Sequence, residues 1–154
     1  MITPPLEEAF NNSKTLHQPW SYPPQNYTDY IQSPYLYLVC LKENQHIVGV
    51  FNITGVIRGL FQSAYLGYQA FSPYSNKGYM KQGIQLIITE AFSNLKLHRL
   101  EANIQPENYA SKVLVQKAGF KQEGFSPQYL QVDGKEWKDH ERWAIINHNW
   151  QAEQ

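Results

Sequence analysis

The chain has 154 residues, 42% of them hydrophobic and 17% charged, which fits one soluble α/β domain over residues 1–154 with enough chain for a proper core. Lys plus Arg and Asp plus Glu each number 13, so the formal charge is zero, which argues against a nucleic-acid partner bound by phosphate neutralisation. No apolar run reaches the length of a membrane span, and "MITPPLEEAF" lacks a basic segment followed by an apolar one, so neither a membrane partner nor a signal peptide is expected.

Leu6, Ala9, Phe10, Ser13 and Leu16 follow helical spacing, predicting a helix over Pro5 to Leu16 that Pro19 ends. A loop follows, with a short helix around Tyr27 to Gln32. "YLYLVCLK" (Tyr35 to Lys42) and "HIVGVFNIT" (His46 to Thr54) read as two strands joined in a hairpin. Cys40, the sole cysteine, lies in the first and reads as a buried core thiol; one cysteine excludes an intrachain disulfide and fits a cytoplasmic protein. "GVIRG" reads as a turn. "SAYLGYQAF" (Ser63 to Phe71) is a third strand whose Gly67 signals a bulge or a close backbone approach. Met80, Ile84, Ile87, Ile88, Ala91 and Leu95 predict an amphipathic helix of roughly five turns. "HRLEANIQ" is a strand, and "PENYASKVLVQKAGF" a turn and helix closed by Gly119. Strands near Phe120 to Glu123, Tyr129 to Val132 and Arg142 to Ile146 finish the chain, with a turn at "VDGK". The five histidines show no metal-ligand spacing with each other or with Cys40, so no metal is expected.

The step "SPYSNKGYM" carries the first chemical signal. A helix start has free N–H groups and partial positive charge, and a glycine there lets an anion approach. No carboxylate occupies the first turn after Gly78. The plainer reading is that Gly78 simply starts a helix and Lys77 is solvated. Neither G-x-x-x-x-G-K-[ST] nor G-x-G-x-x-G occurs. The second signal is "LEANIQPENYAS". Glu101 is a charge in an apolar strand, while Asn108 and Ser111 open the next helix. Plainer roles exist for each: a solvent-facing strand residue, a helix N-cap and a solvated hydroxyl.

"GVFNITGVIRG", "SAYLGYQAF", "NKGYM", "LHRLEANIQPEN", "KAGFKQEGF" and "YLQVDGKEWKDHERWA" occur in the order and spacing of the Gcn5-related N-acetyltransferases (GNAT), and cover roughly Leu16 to Trp150. The chain resembles most the branch that holds ribosomal-protein-alanine N-acetyltransferases of the RimJ and RimL type. The resemblance implies an α/β (α+β) fold: a mixed, mostly antiparallel sheet with a V-shaped splay between two parallel strands, and helices on both faces. It implies acetyl-CoA as co-substrate. Ser75, Asn76, Lys77, Gly78, Tyr79 and Met80 would hold the pyrophosphate on backbone N–H groups. A bulged strand carrying Tyr68, Gln69, Ala70 and Phe71, together with Asn103, would receive the pantetheine arm. Asn108 would contact that arm, and Ser111 would lie near the thioester sulfur.

Departures from the family are specific. Its pyrophosphate pattern is Gln or Arg, two residues, Gly, one residue, then Gly or Ala; Ser75 and Met80 stand at the ends here, and Met80 is expected to turn into the core. Val115 occupies the place of a tyrosine acid, which raises the stake on Ser111. Of the family's first strand, Ile2 and Thr3 alone could represent the end. The implied reaction is direct attack of an amine on the thioester in a ternary complex. Glu101 is the expected base, backbone N–H groups at Tyr68 to Phe71 polarise the carbonyl, and Ser111 protonates sulfur. An α-amine, with a pKa near ~8 against ~10.4 for lysine, needs the least help. The branch resemblance alone implies a protein or peptide N-terminus as the acceptor, with a small amine (amino-sugar, polyamine or amino acid) and a catalytically inactive coenzyme-binding module as alternatives. Trp20, Tyr22, Tyr74 and Tyr129 are expected around the acceptor or in ordinary packing. Monomer and homodimer both stay open.

Overall fold

A computed structural model describes residues 2–152. Its elements run α1 (Thr3–Asn11), α2 (Lys14–His17), α3 (Tyr27–Tyr30), β1 (Leu36–Cys40), β2 (Ile47–Ile57), β3 (Ser63–Ala70), α4 (Tyr79–Thr89), β4 (Arg99–Ile104), α5 (Tyr109–Ala118), β5 (Lys121–Gln131) and β6 (Trp137–Ile146). One π turn, Glu90–Asn94, prolongs α4. The six strands form one sheet in the order β1-β2-β3-β4-β6-β5. Every neighbouring pair is antiparallel except β3 and β4.

Alternation along the strands feeds two cores. Phe51 and Ile53 of β2 point to one face, where they meet Leu66, Leu100, Ile84 and Ile87 of α4, and Val115 of α5. Val50 points to the other and packs with Phe71, Leu6 and Phe10 of α1. Helices thus cover both faces, as expected. Gly83 sits where α4 crosses the sheet: a Cβ there would lie 2.8 Å from the Phe51 ring. Its absence lets the helix approach closely enough to aim its first turn at the end of β3.

The parallel pair defines the cleft. β3 and β4 are in register from Ser63 opposite Arg99 to Tyr65 opposite Glu101, and then stop pairing. β3 runs on to Ala70 and β4 to Ile104, so their facing edges separate into the expected V. The bulge is elsewhere than expected. β3 pairs with β2 without interruption from Tyr65 to Ala70, and the register shift falls at Thr54/Ile57 of β2. Gly55, with φ +59°, absorbs it, so "GVIRG" begins as strand and the chain turns beyond Ile57.

Other expectations change for local reasons. The first helix breaks at Asn12–Ser13 because the Ser13 hydroxyl, fully buried, accepts a hydrogen bond from the Ser72 N–H at 2.9 Å. Thr3 belongs to this helix and so is not the end of a strand. Cys40 is exposed, since a register shift between Val39 and Cys40 turns it off the core at the sheet edge. The separate strands expected at Phe120 to Glu123 and Tyr129 to Val132 are one strand, β5, interrupted by two register shifts. Asp133 caps the following turn by accepting from the N–H groups of Lys135 and Glu136. No helix among the described residues is long and apolar enough to cross a membrane.

Candidate active site

Two cavities meet in the splay. The outer one, about 340 Å³, runs from Ser75, Asn76 and Gly78 along the start of α4 to Ala110 and Ser111 of α5. The inner one, about 220 Å³, opens between Gly67 of β3 and Asn103 of β4 and reaches His140 of β6. Trp20, Ser21, Tyr68, Gln69, Asn108 and Ser111 line both, so these residues mark the passage between them.

The outer cavity includes the uncapped start of a helix. Gly78 caps α4 at φ +83°, with no side-chain cap and no acidic residue in the first turn. The free N–H groups of that turn and their share of the helix dipole therefore favour an anion. Asn76, also left-handed at φ +61°, turns the loop toward the helix axis. Tyr79, Met80 and Lys81 complete the wall, and Met80 also packs against the main core. Lys77 is exposed and outside the lining. From behind, α2 fixes the loop: the buried His17 donates from Nε2 to the Ala70 carbonyl at 2.6 Å, next to the Ser13–Ser72 bond. Burial holds the His17 imidazole below its ordinary pKa, partly offset by that bond. Neither residue was picked out as functional from sequence. Ser13 and His17, polar residues four apart on an apolar helix face, were the available signal.

Backbone donors in β3 are selective. The Phe71 N–H donates to the Val48 carbonyl, and its side chain lies wholly in the second core. Phe71 is therefore removed from the expected donor set. Antiparallel ladders alternate, so the Gln69 N–H also turns to β2, while Tyr68 and Ala70 turn theirs toward the unpaired edge.

At the passage, Asn108 caps α5, its Oδ1 accepting from the Ser111 N–H at 3.4 Å. The Tyr68 hydroxyl reaches across from β3 to Ser111 Oγ at 2.5 Å. Burial pushes the Tyr68 phenol up to about 12, against the opposing effect of the Ser111 hydrogen bond, so it remains protonated at neutral pH. Either oxygen of this pair can donate; with the phenol as donor, the serine's own proton is free to point into the passage. Val115, at the place of the absent tyrosine, is fully buried in the core.

Behind the inner cavity stands a charged triad. Arg99 bonds both Glu123, at 2.7 Å, and Glu101, at 2.8 Å. The other Glu101 oxygen accepts from Asn103 Nδ2 at 3.1 Å. Both Glu101 oxygens are thus engaged, and the residue lines neither cavity. Arg99 draws the Glu123 carboxyl below its usual range. Because the Asn103 amide nitrogen faces Glu101, its Oδ1 is the free end; it is buried without a partner. Of the four expected aromatics, Trp20 lines both cavities, Tyr74 lines the outer one, and Tyr22 and Tyr129 line neither. Among the described residues, no group of three or more His, Cys, Asp or Glu is placed to hold a metal ion.

An extended arm bearing amides and a phosphate fits this donor set. The unpaired strand edges offer backbone partners, Asn103 offers an orphan acceptor, and the α4 start offers N–H groups. A splayed parallel pair leading to a helix start defines the acetyltransferase class of fold. Residues 3–121 match the family model "Acetyltransferase (GNAT) domain", and the chain belongs to that family. It is 34% identical over 108 residues to the [ribosomal protein uS5]-alanine N-acetyltransferase of Escherichia coli, covering 70% of this chain and 55% of that protein. It spans between 55% and 62% of the length of its first curated relatives. Its fold matches the ribosomal-protein-S5-alanine acetyltransferase of Vibrio fischeri with a TM-score of 0.86 at 23% identity, over 98% of this chain and 91% of that one. RimJ of Mycobacterium smegmatis, solved in complex with CoA-disulfide, matches with a TM-score of 0.80 at 23% identity, over 94% and 77%.

Proposed function

We propose that the chain transfers acetyl from acetyl-CoA to a primary amine, and that the amine is the N-terminal α-amine of a protein or peptide. The meeting of the two cavities at Tyr68, Asn108 and Ser111 carries this reading: donor and acceptor can enter from opposite sides and meet at one point. Family membership, the E. coli relative that acts on a ribosomal-protein alanine and the CoA-bound neighbour support it.

The co-substrate supplies the activated acyl group as a thioester. The chain's residues do the rest. The first turn of α4, entered at Gly78, binds phosphate through N–H groups of Tyr79 and Met80, with Ser75 and Asn76 shaping the loop and Lys77 adding charge from outside. Tyr68 and Ala70 donate backbone N–H groups to the carbonyl oxygen as it gains negative charge, which is worth most in a preorganised, dry site. Asn108 and Asn103 orient the arm, and the gain is one of proximity. Ser111, held by Tyr68, passes a proton to the departing sulfur. Glu101, committed to Arg99 and Asn103, is a positioning residue for Asn103.

The test is thiol release from acetyl-CoA with a panel of short peptides of varied N-termini, set beside amino-sugars, polyamines and free amino acids. Release with peptides and not with the small amines is expected. Release with a small amine alone would transfer the reading to that class, and none at all beside intact CoA binding would leave a coenzyme-binding module.

A further inference from the structure

We propose that His140 is the catalytic base that frees the attacking amine; the assignment rests on the acetyl-transfer reading above. Glu101, the carboxylate that sequence singles out, has both oxygens occupied and no place in either cavity wall. His140 has the opposite properties. It is buried, 3% exposed, and it lines the inner cavity together with Gly67 and Asn103. Its Nδ1 lies 2.8 Å from the Lys138 carbonyl oxygen. A carbonyl can only accept, so Nδ1 carries the proton and the lone pair of the neutral ring resides on Nε2. Nε2 makes no hydrogen bond among the described residues. A histidine pinned through one nitrogen, with the other bare, on a residue that lines a cavity, has the arrangement of a general base. Tyr129, 6.2 Å away ring to ring, packs beside it and limits rotation of the imidazole.

The step balances in protons. An ammonium entering the inner cavity gives one proton to His140 Nε2, and the imidazolium later releases it to solvent. The neutral nitrogen attacks the thioester carbon, the C–N bond forms and the C–S bond breaks. The remaining excess proton on nitrogen passes through the Ser111 hydroxyl to sulfur, leaving an amide and a free thiol.

Two measurements decide the assignment. In ligand-free protein, long-range 1H–15N NMR, with His140 identified by its loss in His140→Ala, is expected to show Nδ1 protonated and Nε2 bare. A ring protonated on Nε2 alone would overturn the proposal without reference to activity. In thiol-release assays, His140→Gln is expected to lose about 100-fold or more in kcat/KM, the usual scale of general-base catalysis. Stabilisation of the variant by CoA should stay unchanged. Added imidazole should restore part of the rate to His140→Ala, which a merely structural role would not allow. A His140→Gln variant within twofold of wild type, or a Glu101→Gln variant that alone shows the large loss, would refute it. Should His140→Gln fail to fold, the NMR result on the wild type and imidazole rescue of His140→Ala still decide. A wild-type chain that binds CoA but acetylates nothing would instead count against the acetyl-transfer reading itself.

Discussion

The outer and inner cavities are neighbours made in different ways. The outer one comes from four short continuous stretches, Leu16 to Ser21, Tyr68 to Ala70, Tyr74 to Lys81 and Asn108 to Lys117, and the start of α4 gives it backbone N–H groups with no side-chain cap. The inner one gathers residues from β3, β4, β5, β6, the start of α5 and the segment at Trp20 and Ser21, and the polar residues it does not share with the outer one are Asn103, Gln105 and His140. Backbone donors at a helix start serve any phosphate and tolerate changes of side chain, which is why Ser75 and Met80 can replace the family's usual residues. Side chains drawn from separate strands can be changed one at a time, so on the proposed function the inner wall sets acceptor choice.

The largest expected effect tests the passage between them. Ser111→Ala should lower kcat by about 100-fold in the thiol-release assay, the range of one proton-transfer group. Tyr68→Phe should cost about tenfold alone and close to nothing in the Ser111→Ala background, because it acts through that serine. Full additivity would mean that Tyr68 acts by itself.

A smaller effect tests the backbone character of the outer cavity. Gly78→Ala forces a Cβ into φ +83° and should cost about 1 kcal/mol of stability, with weaker CoA binding and unchanged selectivity among acceptors. A change in acceptor preference would break the division between the two cavities.

The smallest effect concerns the support behind the loop. Burial depresses the His17 pKa, so the unfolded chain binds this proton more readily than the folded one. Its contribution is complete above the unfolded value near ~6.5 and is lost as pH falls below that toward the folded value. Thermal midpoints should therefore drop by a few degrees between about pH 7.5 and 5.5, and His17→Gln should flatten that slope. An equal slope in the variant would assign it to other groups.

The same contrast explains what sequence could say. Helix periodicity, the Gly78 start, the order of strands and the Asn108 cap are local, and each is legible in a few adjacent residues. The parallel run of β3 and β4 also follows from order, because parallel strands need a crossover such as a helix, while their splay was implied by the family resemblance alone. What escaped was tertiary. The break at Ser13 depends on Ser72, fifty-nine residues away. The pinning of Ala70 depends on His17, fifty-three residues away. Strand alternation already puts Arg99 and Glu101 of "HRLEANIQ" on one face, but that the two pair, with Asn103 on the other Glu101 oxygen and Glu123 of β5 on Arg99, appears only in the fold. His140, in "KDHERW", has no local signal at all; its role arises from the Lys138 carbonyl and a cavity walled by other strands.

Calorimetric titration with CoA tests the division of labour most directly, using one blocking substitution in each cavity. Ala110 is exposed on the first turn of α5 and lines the outer cavity, while Gly67 lines the inner one with open space where a Cβ would stand. The wild type should bind one CoA, Gly67→Val should bind it equally but fail to turn over an acceptor, and Ala110→Glu should lose binding while folding normally. Absence of CoA binding by the wild type, or loss of binding in Gly67→Val with retention in Ala110→Glu, would contradict the assignment of the outer cavity to the coenzyme.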